Sequence, residues 1–350
     1  MSSRGEASTG SRARGTALIR WHIRCVLAAV TSYLFGSEYL LFAIGTINRH
    51  ILRGRITGVF LLYPARKEYA DALAYEWHQK RFAWRPGLVG SYSQDGRLGL
   101  IFGIPNLEDE LRDQANAPQV LDLLRQMDRI SNLIGAPRRI FAGILPSQLA
   151  RLGITDSQLE SQRELTARAV VSALDQVIAA NKIDANAPIL LIGGKGYIAS
   201  KVMELCSGRL TYSIDVGEFE NFRRLATGLR GSRVVVVNLA KSSALAQYVP
   251  HFWPGVIVLN EVYPEPTWSE VADLTEKSIS CFHVVGVAGK AWPPFPRAYR
   301  GGIPCCAALP PPGVTTVTAL VTQLLGDSPA GLARTYPSLN ARAAHRQRRE

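Results

Sequence analysis

The sequence predicts an α/β protein: a C-terminal Rossmann-type, doubly wound parallel sheet with an N-terminal α/β domain, preceded by apolar helices. Three observations carry the prediction. Short, wholly apolar runs bounded by turn residues recur through the C-terminal half, as in parallel strands covered on both faces. Helix-period segments alternate with those runs. One of the runs ends in a glycine-rich turn that opens a helix.

With 350 residues and 47% hydrophobic side chains, the chain has apolar content for two domains, and disorder throughout is excluded. The net charge is +12. Residues 1–55 hold eight basic and two acidic side chains and residues 331–350 five and one, so ten of the twelve charges sit at the ends. A nearly neutral body without aromatic-interleaved basic patches argues against nucleic acid. Cys25, Cys206, Cys281, Cys305 and Cys306 show no C-x-x-C spacing, which excludes a zinc ribbon and a disulfide framework. No metal site is expected, and a reducing, cytoplasmic setting is.

Residues 1–16 are polar and arginine-rich and read as a disordered basic tail, as do residues 329–350. Between them lie an apolar helical segment (17–55), an N-terminal α/β domain (56–154) and a Rossmann NAD(P)-binding domain (155–328). Residues 25–47 are apolar except for Glu38 and a polar break at Gly36-Ser37, with arginines on both flanks. Three arrangements suit this pattern: two short helices packed on the body, a membrane-associated surface contact, and a membrane span.

In the N-terminal domain, Val59–Tyr63 reads as a buried strand stopped by Pro64, and Glu68–Trp84 as a helix. Residues 87–92 and 98–104 flank Asp95-Gly96 and read as a hairpin. Leu107–Ile134 has helical spacing, and Ile140–Leu145 reads as a strand ended by Pro146. A helix over 156–182, capped by Thr155 or Asp156, leads into the apolar strand Pro188–Ile192.

Gly193-Gly194-Lys195-Gly196-Tyr197-Ile198-Ala199 then follows, in which Gly194-x-Gly196-x-x-Ala199 matches a dinucleotide fingerprint. Gly194 allows the tight turn, Gly196 lets backbone approach a pyrophosphate, and small Ala199 lets helix and strand pack closely. Asp215 closes the next strand, at the spacing of the acid that bonds an adenosine ribose; it favours NAD over NADP, a preference that Arg223 and Arg224 can reverse. A ligand-free turn and a methyltransferase-like adenosyl site are the competing readings.

Three further apolar strands, 233–238, 256–260 and 283–287, end in polar residues, where an open parallel sheet holds its ligands. Asn238 and Lys241 are expected beside the cofactor. Glu261 and Tyr263 are candidate acid/base groups against a purely structural turn, Lys290 a candidate proton donor against a solvated surface lysine. His283 is expected to open its strand, remote from the cleft. Cys305 and Cys306 precede small residues that read as a helix start, where a thiol has a lowered pKa and makes an acyl acceptor; the alternative is two small buried side chains.

The order of these pieces, with Arg163–Ala180 running into Ile189–Ala199, then Val235–Lys241, Val256–Pro264, His283–Lys290 and a downstream cysteine, resembles the cyanobacterial long-chain acyl-[acyl-carrier-protein] reductases. It resembles shikimate-dehydrogenase-like Rossmann domains more distantly. The resemblance covers about 180 residues at the level of pattern, with Ile140–Leu145 where the family has a glycine-containing strand. It implies a reductase in which Cys305 or Cys306 accepts an acyl group from a thioester and a nicotinamide hydride releases the aldehyde. Here the cysteines follow the last strand sooner, in a proline-rich setting, and Asp215 is less suited to NADP.

The expected function is therefore an NAD(P)-dependent oxidoreductase acting on an acyl thioester or aldehyde, cytoplasmic or peripheral at a membrane through residues 17–55. A dehydrogenase of a small keto or amino acid using Lys290 or Glu261, and a non-catalytic nucleotide-binding Rossmann protein, are the alternatives.

Overall fold

The computed structural model describes residues 19, 21–23, 25–34, 37–241, 244–295, 299, 301–311, 313–314 and 316–324. The two tails expected at 1–16 and 329–350 lie outside the described residues. The protein is mixed α/β and divides into two compact units, whose described residues fall within Met1–Ser91 and Leu100–Arg139, and within Tyr92–Gly99 and Ile140–Ser328.

The first unit begins with α1 (Trp21–Leu34) and α2 (Glu38–His50), which are bent by 88° from one another. No single helix among the described residues is long and apolar enough to cross a membrane. Along the chain then come β1 (Ile56–Leu62), α3 (Lys67–Leu73), α4 (Glu76–Arg81), β2 (Gly87–Gln94), β3 (Arg97–Gly103), α5 (Glu108–Arg112), α6 (Ala117–Ile134) and β4 (Arg138–Phe141). The strands run in the order β2-β3-β1-β4. Asp95 and Gly96 both take positive φ, 48° and 76°, as a tight hairpin turn between β2 and β3 requires.

Buried Asn48 ties this unit together. Its amide donates to the carbonyls of Ile56 and Ile134, and its Oδ1 accepts the Ile56 N–H at 2.9 Å. One side chain thus joins the end of α2, the start of β1 and the end of α6. Gly45 lets α2 cross α6 closely, because a Cβ there would run into the Leu133 carbonyl.

Three expectations are corrected here. The helix over 68–84 is two helices, since Ala74 and Tyr75 take extended backbone between them. The helix over 107–134 breaks at Asp113, whose carboxylate accepts the Ala115 N–H and caps a short 3-10 turn; Pro118 then stands in the first turn of α6. The strand over 140–145 stops at Phe141, because Leu145 and Pro146 open α7 (Leu145–Arg151).

The second unit continues with α8 (Ser157–Ala180), β5 (Ile189–Ile192), α9 (Tyr197–Leu205), β6 (Thr211–Ile214), α10 (Phe219–Leu229), β7 (Val234–Asn238), α11 (Ala244–Tyr248), β8 (Val256–Asn260) and α12 (Trp268–Glu276). It ends with β9 (Ser280–Ala288), β10 (Lys290–Trp292), β11 (Gly302–Ile303) and β12 (Ala319–Leu324). Asp156 caps α8, accepting from the Gln158 and Leu159 amides.

The sheet order is β6-β5-β7-β8-β9, all parallel, with β11 and β12 antiparallel to β9. Strands β5, β7 and β8 are buried along their whole length. One face packs Leu190, Val236 and Val258 against Phe222, Tyr248 and Leu274 of the helices. The chain leaves β5 for β6 on one side and returns to β7 on the other, so its direction of winding reverses between β5 and β7. At such a reversal the loops after the two strands part, and the crevice over the strands' carboxyl ends is where open α/β sheets hold ligands.

Candidate functional site

The turn after β5 is dictated by close approach. Gly193 takes φ +88°, and a Cβ there would lie 2.8 Å from Cα of Ala240, in the loop after β7. Gly193 and Gly194 both donate to the Ile214 carbonyl, at 2.8 and 3.0 Å, which fastens the turn to the end of β6. A Cβ on Gly194 would occupy the place of the Ser213 side chain. Gly196 donates to the Gly193 carbonyl at 2.8 Å and stands in extended backbone as the N-cap of α9. Ala199 is fully buried, and Ile198 is half-buried.

Residues 193–199 therefore form one strand–turn–helix unit, and Asp215 closes β6 beside it. The Asp215 N–H donates to Glu218 Oε2 at 3.0 Å, while Glu218 Oε1 pairs with exposed Lys195 at 2.5 Å. That pairing raises the Lys195 pKa and lowers that of Glu218. Arg163 of α8 buttresses the other side of the turn. Its guanidinium lies 4.9 Å over the Tyr197 ring, Nε donates to the Tyr197 carbonyl at 2.7 Å, and a terminal nitrogen donates to Ser200 Oγ. Arg163 and Glu218 were not singled out from sequence, where each reads as an ordinary helix-surface charge.

A buried polar row crosses the carboxyl ends of three strands. Asn238 donates to Asn260 Oδ1 at 2.8 Å and to the Lys241 carbonyl, and accepts the Ala240 N–H. Its amide is thus spent on shaping the loop that meets Gly193, while Lys241 stands exposed. Asn260 Nδ2 donates to the Val262 carbonyl at 2.7 Å. His283 Nδ1 meets both Asn260 Nδ2 (3.0 Å) and the Asn260 carbonyl (3.1 Å), accepting from the first in one tautomer and donating to the second in the other. Burial pushes the His283 pKa down to about 4, so the ring is neutral. This overturns the expectation for His283: β9 begins at Ser280, and the register pairs His283 with Asn260 at the carboxyl end of β8.

One residue past Asn260, Glu261 enters a second cluster. Cys305 Sγ donates to Glu261 Oε1 at 3.7 Å. Withdrawal from water pushes the Glu261 pKa up to about 7, against the lowering effect of the Cys305 hydrogen bond. The Tyr263 ring lies 5.0 Å from that of Tyr299, which in turn lies 5.7 Å from Phe295. Burial, then the neighbouring cysteines and glutamates, push the Tyr299 phenol well above its ordinary value.

The cysteines do not open a helix. They lie in a three-residue 3-10 turn, Cys305–Ala307, which is too short to lower a thiol's pKa by its dipole. Burial instead drives Cys305 well above its ordinary value and Cys306 up to about 12, while backbone amides of Gly143, Cys306 and Ala307 face the Cys306 sulfur and oppose the shift.

Glu261, Tyr263, Cys305 and Cys306 are thus brought together. Lys290 is not: it is exposed at the start of β10 and, among the described residues, no hydrogen bond or ion pair joins it to that cluster. Tyr299 and Gly143 were missed, because nothing in their local sequence marks them as neighbours of the thiols. Among the described residues, no group of His, Cys, Asp and Glu is placed to hold a metal ion.

No protein-family model matches the chain, and no curated protein is significantly similar to it.

Proposed function

We propose that the second unit is a Rossmann-type, nicotinamide-dependent oxidoreductase that reduces an acyl thioester to its aldehyde through a cysteine-bound acyl group. The observation that carries this reading is one continuous edge. The glycine turn touches Ala240, Ala240 is held by Asn238, Asn238 by Asn260, and the residue after Asn260 is the carboxylate against Cys305. A nucleotide cradle and an acid–thiol pair on the same carboxyl edge of one parallel sheet are what hydride transfer to an acyl-enzyme needs.

The residues around the turn fit a dinucleotide. Gly193, Gly194 and Gly196 let the turn close tightly on Ala240, Ser213 and itself, and the amides of Tyr197, Ile198 and Ala199 begin a helix and so lack intrahelical acceptors, leaving them for a pyrophosphate. Asp215 stands one strand over, suited to an adenosine ribose and to NAD rather than NADP; exposed Lys195 and Lys241 flank the crevice. A reduced nicotinamide held there would supply a hydride.

The chain's own groups do the rest. Glu261, with its pKa near neutrality, takes the Cys305 proton, and the sulfur bonds to the thioester carbonyl carbon as the carrier thiolate leaves. Glu261 returns its proton to that leaving sulfur. Release of the aldehyde from the reduced acyl group would leave Cys305 as a thiolate, which recovers its proton from water. One thioester, one hydride and one proton become one aldehyde and one thiol. The Tyr263, Phe295 and Tyr299 rings give the acyl chain an apolar wall.

The test is titration of the full chain with NADH and NADPH by fluorescence, followed by turnover of a long-chain acyl thioester. Cys305→Ala is expected to abolish turnover and the acyl adduct seen by mass spectrometry, while nucleotide affinity stays. Full activity in Cys305→Ala, Cys306→Ala and the double variant would remove the covalent route, and no response to either nucleotide would remove the oxidoreductase reading.

A further inference from the structure

The two N-terminal helices are amphipathic in the wrong direction for water. Helix α1 buries Cys25, Ala29 and Ser32, spaced four and three residues apart, and turns Ile23, Leu27, Val30 and Leu34 outward at the same spacing. Helix α2 buries Leu41, Gly45 and Asn48 and exposes Tyr39 (89%), Phe42 and Ile47. Leu41 apart, the buried positions are small or polar, and most of the large apolar side chains face out. Eleven of the eighteen exposed large hydrophobic residues among those described lie between Ile19 and Ile51. A patch of that extent on a helix face marks a surface made to be covered.

The orientation is fixed by packing. Asn48 is knotted to β1 and α6, Gly45 lies against the Leu133 backbone, Trp21 Nε1 donates to the Asp71 carbonyl at 2.9 Å, and Ser32 abuts Gly87. The helices cannot roll their apolar faces inward without breaking these contacts.

Charge identifies what covers the patch. Between residues 17 and 55 the sequence has five arginines and one acid. That acid, Glu38, is ion-paired with Arg129. Arg49 in the last turn of α2, and Arg53 and Arg55 beyond its end, stand exposed, with Arg49 also over the Phe42 ring at 5.7 Å. A second copy would bring like charges together across the contact, whereas an anionic bilayer supplies phosphates for the arginines and hydrocarbon for the side chains. Exposed Tyr33, Tyr39 and Trp77 are the aromatic types that settle at the headgroup boundary.

We propose that α1 and α2 lie in the plane of an anionic membrane surface, with their outward faces among the upper acyl chains and the arginines on the phosphates. Neither the glycine turn nor Cys305 and Cys306 enter this inference.

The experiment is co-sedimentation of the full chain with vesicles of phosphatidylcholine alone or with 30% phosphatidylglycerol. Binding is expected to the anionic vesicles, weakened by 0.5 M salt, and lowered about fivefold for each of Arg49→Gln and Arg53→Gln. Val30→Gln with Leu34→Gln is expected to lower it at least about tenfold at any salt, with an unchanged thermal melt because both positions are exposed. A carbonate wash at high pH is expected to release the protein. No sedimentation, sedimentation indifferent to these variants, retention through carbonate as for a spanning segment, or a wild-type dimer that Val30→Gln with Leu34→Gln converts to monomer would each overturn the proposal.

Discussion

The Sγ of Cys305 lies 3.7 Å from Oε1 of Glu261, a residue 44 positions earlier in the chain. Each group explains the other's chemistry: the carboxylate makes ionisation of the thiol harder, and the same dry surroundings raise the carboxyl until it can exchange a proton near neutral pH. Acylation by a thioester should therefore rise with pH along a single ionisation near 7 and level off above it. Glu261→Gln should lower the plateau by about 10²-fold or more and remove that ionisation, read as acyl-adduct formation against pH.

The same carboxyl sets a stability signature. Its folded pKa, about 7, exceeds the ordinary carboxyl value, so its stabilising contribution is complete below pH about 4.5 and is lost as pH rises through 7. Glu261→Gln should accordingly stabilise the protein at pH 8, on the order of 2–3 kcal/mol, and have little effect at pH 4.5. Thermal melts of both proteins across that range measure it.

His283 carries the opposite sign. Its folded pKa, about 4, lies below the ordinary imidazole value, so its contribution is complete above pH 6.5 and is lost as pH falls towards 4. His283→Gln should flatten that acid limb in denaturant titrations. Asn260→Leu should cost more, about 2–4 kcal/mol at pH 7, because it removes the side-chain partner that Asn238 Nδ2 and His283 Nδ1 share in a buried site.

Two glycines separate backbone strain from steric overlap. Gly217 has φ +98° with no atom of the described residues within 4 Å of where a Cβ would stand, whereas Gly193 has φ +88° with Ala240 in the way. Gly217→Ala should cost about 1 kcal/mol and Gly193→Ala at least about 3, by urea unfolding. The excess measures how tightly the loops after β5 and β7 meet.

On the proposed function, Asp215 repels a 2′-phosphate. Asp215→Ser should shift the NADPH-to-NADH affinity ratio about tenfold towards NADPH, equivalent to ~1.4 kcal/mol, by fluorescence titration.

Much of this was legible in the chain itself. The strands 256–260 and 189–192, the Asp156 cap and the Asp95-Gly96 turn follow from side-chain period, a short polar cap and a backbone that tolerates positive φ, all properties of neighbours in sequence. The breaks at Ala74, Asp113 and Leu145 were not, since a continuous apolar period survives a local cap or proline that ends the element. Strand β12 was missed because its partner, β9, lies outside its local sequence.

The sequence by itself determined that a glycine turn joins a buried strand to a helix and that polar residues close each parallel strand, because those are short-range demands of backbone geometry and burial. Only the tertiary structure decided which strand ends are neighbours. Lateral register put His283 beside Asn260, and the return of the chain after β9 put Cys305 against Glu261 rather than Lys290. It also decided which side of the N-terminal helices faces in. A helical period marks two faces, but only packing, which sets Gly45 against the α6 backbone and ties Asn48 to β1 and α6, turns most of the large apolar side chains outward.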